Sequence, residues 1–183
     1  MATKQVEVAG QTLAGYNWSF APNATQEALF REFIAVPVSN KYQLLACKQQ
    51  WNGEAIVEYN FIYTLTPDVP NAPTYLYEAQ LNDIFGRHRV VRKNQPIGPE
   101  PDEQGWYSWQ VPASQGAVHS MPKIQGLDVY KPYASAEQPV LKGINYCILC
   151  SDTINTNPAT VNAVLMYTNV TDTVSKVIRI VRI

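Results

Sequence analysis

The sequence predicts an α+β fold made of two successive units, each a helix laid on a curved antiparallel sheet. Three observations predict it: a weak internal repeat, apolar and polar residues alternating at strand period, and one amphipathic stretch at helical period. The repeat pairs Tyr42-Gln43-Leu44-Leu45-Ala46 with Tyr130-Lys131-Pro132-Tyr133-Ala134, and Gly53 with Gly143. It continues with Tyr59-Asn60-Phe61-Ile62 against Tyr146-Cys147-Ile148-Leu149, and Asn71-Ala72-Pro73-Thr74 against Asn157-Pro158-Ala159-Thr160. The separation drifts from 90 residues at the glycines to 86 at the asparagines, as small loop insertions would make it. A repeat is sought first because missing it mis-assigns the whole fold.

The helix comes first in the chain. Asn23 is a capping residue, able to accept the free N–H groups of a first turn, with Gln26 three residues on. Leu29, Phe30, Phe33 and Ile34 then share one helical face, and Val36-Pro37 ends the run because proline crowds the residue before it. Residues 57–65 alternate: Val57, Tyr59, Phe61, Tyr63 and Leu65 share one face and Glu58, Asn60 and Thr64 the other, the period of a half-buried strand. Shorter strands follow at 75–81 and 89–92. Residues 92–105 hold three prolines and two glycines and read as a loop or linker, excluded from helix and from a central strand. This divides the chain into a first unit, 1–91, a linker, 92–105, and a second unit, 106–183.

In the second unit, 113–124 matches the helix of the first, but Gly116 and Pro122 weaken it to a short or irregular helix. Residues 144–150, 161–167 and 174–183 are rich in Val, Ile and Tyr and read as strands. Loops carrying Pro67, Pro70, Asn71, Pro73, Asn155, Asn157 and Pro158 separate the strands, as in antiparallel meanders. The last strand is apolar on both faces with Lys176, Arg179 and Arg182 interspersed, which implies cover by the other half or by another subunit.

Composition narrows the function. Apolar residues are 46% of the 183 and charged residues 16%, enough to bury a core. Lys and Arg number 14 against 15 Asp and Glu, without the basic excess a general nucleic-acid binder uses on phosphates. No apolar run is long enough for a membrane span. The first residues have no apolar core run and are not a signal peptide as written. With only Cys47, Cys147 and Cys150, the chain as written fits a reduced cytoplasmic protein, or a secreted one from which a signal was removed. Sequons at Asn17, Asn23 and Asn169 matter only in the secreted case.

With a leading segment, a helix, a four-stranded meander, and Tyr-x-x-x-Ala running into a glycine hairpin, each half resembles a cystatin. The resemblance spans about 36–91 and 127–183. It implies a helix across a curved sheet and three edges aligned as a wedge that blocks papain-like cysteine peptidases. Those edges are a leading glycine, a first hairpin of pattern Gln-x-Val-x-Gly, and a second hairpin, often with Pro-Trp. Here the leading glycine is Gly10 or Gly15. The first hairpin reads Gln49-Gln50-Trp51-Asn52-Gly53, with Trp in place of valine, and the second reads Asn82-Asp83-Ile84-Phe85-Gly86 without Pro-Trp. In the second unit the first hairpin reads Pro139-Val140-Leu141-Lys142-Gly143 and keeps only the glycine. The wedge residues implied are thus Gly10, Gly15, Gln49, Gln50, Trp51, Asn52, Gly53 and Phe85.

Two function classes follow: a non-enzymatic inhibitor of papain-like cysteine peptidases, or a non-inhibitory protein associating with copies of itself through apolar edge strands. Trp51 and Phe85 suit a greasy tip, since aromatic anchors often dominate binding energy; Trp51 equally suits folding back as core cover. Gly53 and Gly143 suit turn geometry. Cys147 and Cys150, three apart on a strand, point to opposite faces and suit buried thiols over a metal site. His88 and His119 show no spacing that pairs them with Cys47 for nucleophilic chemistry. Glu100, Asp102 and Glu103 are solvated linker residues, and Trp106, Tyr107 and Trp109 either anchor the linker or form a binding strip. No cofactor or metal is implied.

Overall fold

The computed structural model describes residues 17–122, 129–154 and 158–183. Within these the chain is mostly β and forms two antiparallel sheets. The first has the order β1 Trp18–Ser19, β2 Lys41–Trp51, β3 Ile56–Thr66, β4 Tyr75–Ile84 and β5 Arg87–Pro96. The second has the order β6 Tyr130–Val140, β7 Gly143–Ile154, β8 Thr160–Thr171 and β9 Val174–Arg182. Helix α1, Ala24–Leu29, runs on into a π-helical turn, Phe30–Ile34; helix α2 is Gln115–Ser120.

Helix α1 starts where its cap chemistry dictates. The Gln26 N–H donates to Asn23 Oδ1 at 2.9 Å, and the Asn23 N–H donates to Gln26 Oε1 at 3.0 Å, a closed capping box. At the other end Lys93 Nζ donates to the carbonyls of Val36 at 2.8 Å and Ile34 at 3.3 Å, where the helix ends. Between them Phe30 and Ile34 are buried against Tyr59, Phe61, Tyr63 and Leu65, the predicted inner face of β3.

The other face of the first sheet is also covered. Ala46, Ile62 and Leu76 pack with Ala134, Cys147, Leu149 and Leu165 of the second sheet in one continuous core. Beyond it, Ile148, Cys150, Val164 and Met166 pack under Ala117 of α2. The molecule is therefore layered α1, first sheet, second sheet, α2. This corrects the half-buried reading of 57–65: Asn60 and Thr64, expected on a wet face, are 4% and 5% exposed because the second sheet lies on them.

The proline-rich stretch is not a free tether. β5 runs through Arg92 to Pro96 as an edge strand, a sheet position that tolerates proline. Past it, Ile97, Trp106 and Trp109 enter the core between the sheets, and Trp109 Nε1 donates to the Pro99 carbonyl at 3.1 Å. Anchoring thus accounts for Trp106 and Trp109, whereas Tyr107 is 52% exposed. α2 is shorter than the 113–124 expected, capped by Ser114, whose Oγ accepts the Ala117 N–H at 3.2 Å. At its Gly116 an added methyl would meet the Tyr146 hydroxyl, so the tyrosine side chain would have to shift. The last strand, β9, is an exposed edge; the described residues of the other half do not cover it.

Candidate functional site

Strand register brings two hairpins of the first sheet to one end. Trp51 opposes Ile56 at the β2–β3 turn, Glu58 opposes Asn82, and Ile84 opposes Arg87 at the β4–β5 turn. The start of β1 lies toward the same end, Trp18 opposing Lys48. The second sheet points the other way. Asn17 bonds the Ala159 carbonyl at 3.0 Å and the Val161 N–H at 3.0 Å, at the end of β8 remote from its turn. The hairpins joining β6 to β7 and β8 to β9 lie together at that opposite end, where Thr171 Oγ1 donates to the Lys142 carbonyl at 2.7 Å.

The β4–β5 turn is the sharpest feature. Phe85 and Gly86 both have positive φ, 53° and 77°, as a two-residue type I′ turn demands. Glycine takes that conformation freely, whereas a bulky side chain does so at a cost. Phe85 is nevertheless 102% exposed, so no packing among the described residues offsets the strain. Asp83 braces the turn, its Oδ1 accepting the Gly86 N–H at 2.9 Å. Beside it, His88 Nε2 lies 3.5 Å from Asp83 Oδ2, and the His88 ring packs at a tilt against Phe33 of the π-helical turn, with centroids 5.1 Å apart.

The β2–β3 turn is built differently. Asn52 Oδ1 accepts the N–H groups of Glu54 and Ala55, both at 2.9 Å, and Gly53 sits at φ 99°. Gln49 accepts Gln26 Nε2 at 3.2 Å, tying the strand to the helix, so Gln49 serves the scaffold while Gln50 is exposed. Trp51 does not form the tip. It belongs to β2, half-buried opposite Ile56, and its indole N–H is enclosed with no hydrogen-bond partner among the described residues. The bare tip is instead residues 52–55, all exposed. Gly10 and Gly15 lie outside the described residues.

At the opposite end, Leu141 is 101% exposed and Val140 36%, with Pro139 and Lys142 also exposed. Gly143 has φ 98°, and a Cβ there would run into the Val170 carbonyl. An amide ladder underlies this end: Gln138 accepts from Asn145 and Asn145 accepts from Asn169, each at 2.8 Å.

The thiols are buried one to a layer, Cys47 under α1, Cys147 between the sheets and Cys150 under α2. Cys147 and Cys150 thus face opposite sides of β7. Burial pushes each thiol up to about 12, which keeps it neutral and unreactive. No group of three or more His, Cys, Asp or Glu among the described residues is arranged to hold a metal. Nor is any helix among them long and apolar enough to cross a membrane. The three sequon asparagines are all engaged in the fold, Asn17 and Asn169 donating through Nδ2 and Asn23 accepting as the cap.

The sequence offered both Phe85 and Trp51 as an exposed tip, and the structure exposes only Phe85. The signal that separates them was present: the Phe85-Gly86 pair closes a two-residue turn, where a side chain has nowhere to fold back. No protein-family model matches this chain, and no curated protein or solved structure matches it either.

Proposed function

We propose that this chain is a duplicated cystatin-like binding protein, without a catalytic centre of its own, that plugs the cleft of a papain-like cysteine peptidase with the hairpin end of its first unit. The observation that carries the reading is Phe85, a fully exposed aromatic ring held at positive φ on a braced turn. A strained residue kept where glycine would be cheaper points to a demand outside folding. A preformed turn also lowers the ordering cost of binding. Residues 52–55 flank it with a second rigid turn, and Trp51 supports the tip from within the strand.

The duplication has its own support. In each sheet the first full-length strand carries a bulge just before a fully buried alanine, at Leu45 before Ala46 and at Tyr133 before Ala134. Helices α1 and α2 each lie on the outer face of a sheet, with β1 beside β2 in the first. The departures are the inturned Trp51 and the missing Pro-Trp.

Titrating papain with the full-length protein tests the proposal. Stoichiometric, reversible inhibition is expected without cleavage at residues 52–55 or at Phe85. Unchanged papain activity at micromolar inhibitor, or cleavage of the tip as a substrate, would remove it.

A further inference from the structure

Two long strands, β5 and β9, each form one edge of a sheet and leave a row of backbone N–H and C=O groups unpaired, whereas the edge strand β6 is bridged at Ser135 by Gln110. Between them they hold half of the chain's 14 basic residues: Arg87, Arg89, Arg92 and Lys93 on β5, and Lys176, Arg179 and Arg182 on β9. Neither strand carries an acidic residue.

The two edges differ in everything else. β5 breaks register twice against β4 and ends in Pro96; Lys93 is committed to the end of α1, and Arg92 pairs with Glu78 at 2.9 Å. Its one strongly exposed aliphatic residue is Val91, at 49%. These are the devices that keep an edge from pairing. β9 breaks register once and exposes Val174, Ile178, Ile180 and Val181 at 67%, 53%, 42% and 41%. Its basic residues fall on both faces. Lys176 and Arg179 oppose Asn169 and Tyr167, two apart on β8, and so share a face; Arg182 opposes Val164 on the other. Arg179 is held in place, its guanidinium 4.2 Å from the Tyr167 ring centroid.

An apolar, nearly regular edge invites strand addition, and its charge selects the strand. A second copy laid with its β9 or its β5 on β9 would set an edge that carries cations and no acidic residue beside another of the same kind. We infer that β9 is a docking edge for an extended segment of a different protein in which apolar residues alternate with carboxylates. Main-chain hydrogen bonds would supply affinity, and Lys176 and Arg179, which share a face, would select the acidic register. This surface lies on the second sheet and is independent of the peptidase reading.

The test uses the full chain and two blocked eight-residue peptides, one alternating valine with glutamate and one alternating valine with lysine. Amide hydrogen exchange of residues 174–182 is the readout. The glutamate peptide is expected to slow exchange along β9, with affinity falling roughly tenfold in Lys176→Glu, a change of an exposed side chain that leaves folding intact. Arg179→Glu is expected to do the same, with its thermal midpoint checked because it also leaves Tyr167. Equal protection by the lysine peptide, or protection confined to other strands, would overturn the inference. Protection of β9 that rises with protein concentration and without peptide would overturn it too, and would assign the edge to a second copy.

Discussion

The two halves share a helix-on-meander plan but differ in what they leave exposed. The first half closes its edge, with bulges and a committed Lys93 on β5, and leaves a strained aromatic turn bare at its hairpin end. The second half knits its hairpin end together through the Gln138, Asn145 and Asn169 ladder and leaves a whole strand bare instead. One scaffold thus offers two kinds of surface, a point at one end and a line along one side. The core between the sheets lets them differ, since it fixes both halves without drawing on either exposed region.

The packed layers of both halves can be broken most broadly by alkali. The three thiols sit one in each layer, each raised from 9.0 to about 12 by burial. The unfolded chain loses these protons first, so their contribution is fully present below pH 9 and is lost as pH rises toward 12. Urea midpoints are expected to fall steeply above pH 9, and less steeply in Cys47→Ala, where the first-half layer no longer titrates.

The next effect tests whether the chain between the halves is structural. Trp109→Ala should cost about 3–5 kcal/mol, because it empties the core both sheets share. A loss under 1 kcal/mol would return 97–110 to the status of a tether. The glycine turns then separate the two hairpin ends. Gly53→Ala meets only the unfavourable φ and should cost about 1–2 kcal/mol. Gly143→Ala, which also meets the Val170 carbonyl, should cost clearly more. Equal losses would erase the distinction between an open and a knitted end.

Much of the fold was legible because its signals are local. The Asn23-x-x-Gln26 box and the Phe30 and Ile34 face specify α1 without help from the rest of the chain. The β-period of 57–65 placed the inner face of β3 correctly. What failed was long-range. The polar face of β3 looked wet because Asn60 and Thr64 carry no mark of the sheet that covers them. Residues 92–96 looked like linker because a proline-bearing edge strand and a loop have the same composition. Trp51 looked like a tip because a turn pattern does not say whether its aromatic residue belongs to the strand or the turn. Which end each hairpin points to depends on how the sheets stack, and no single segment encodes that.

The smallest stability effect runs opposite to the others. Phe85→Gly should raise stability by about 1 kcal/mol, since it relieves positive φ and removes no packing. Thermal unfolding reads this directly, and a decrease would mean that the ring is packed after all.

The most direct measurement is the inhibition constant for papain of Phe85→Ala beside Leu141→Ala, the matching change at the other hairpin end. Both residues are fully exposed, so neither change should disturb folding. Phe85→Ala is expected to weaken inhibition roughly thirtyfold, about 2 kcal/mol, with Leu141→Ala unchanged. Equal effects at the two ends, or none at Phe85, would contradict the assignment of the first hairpin end as the point of contact.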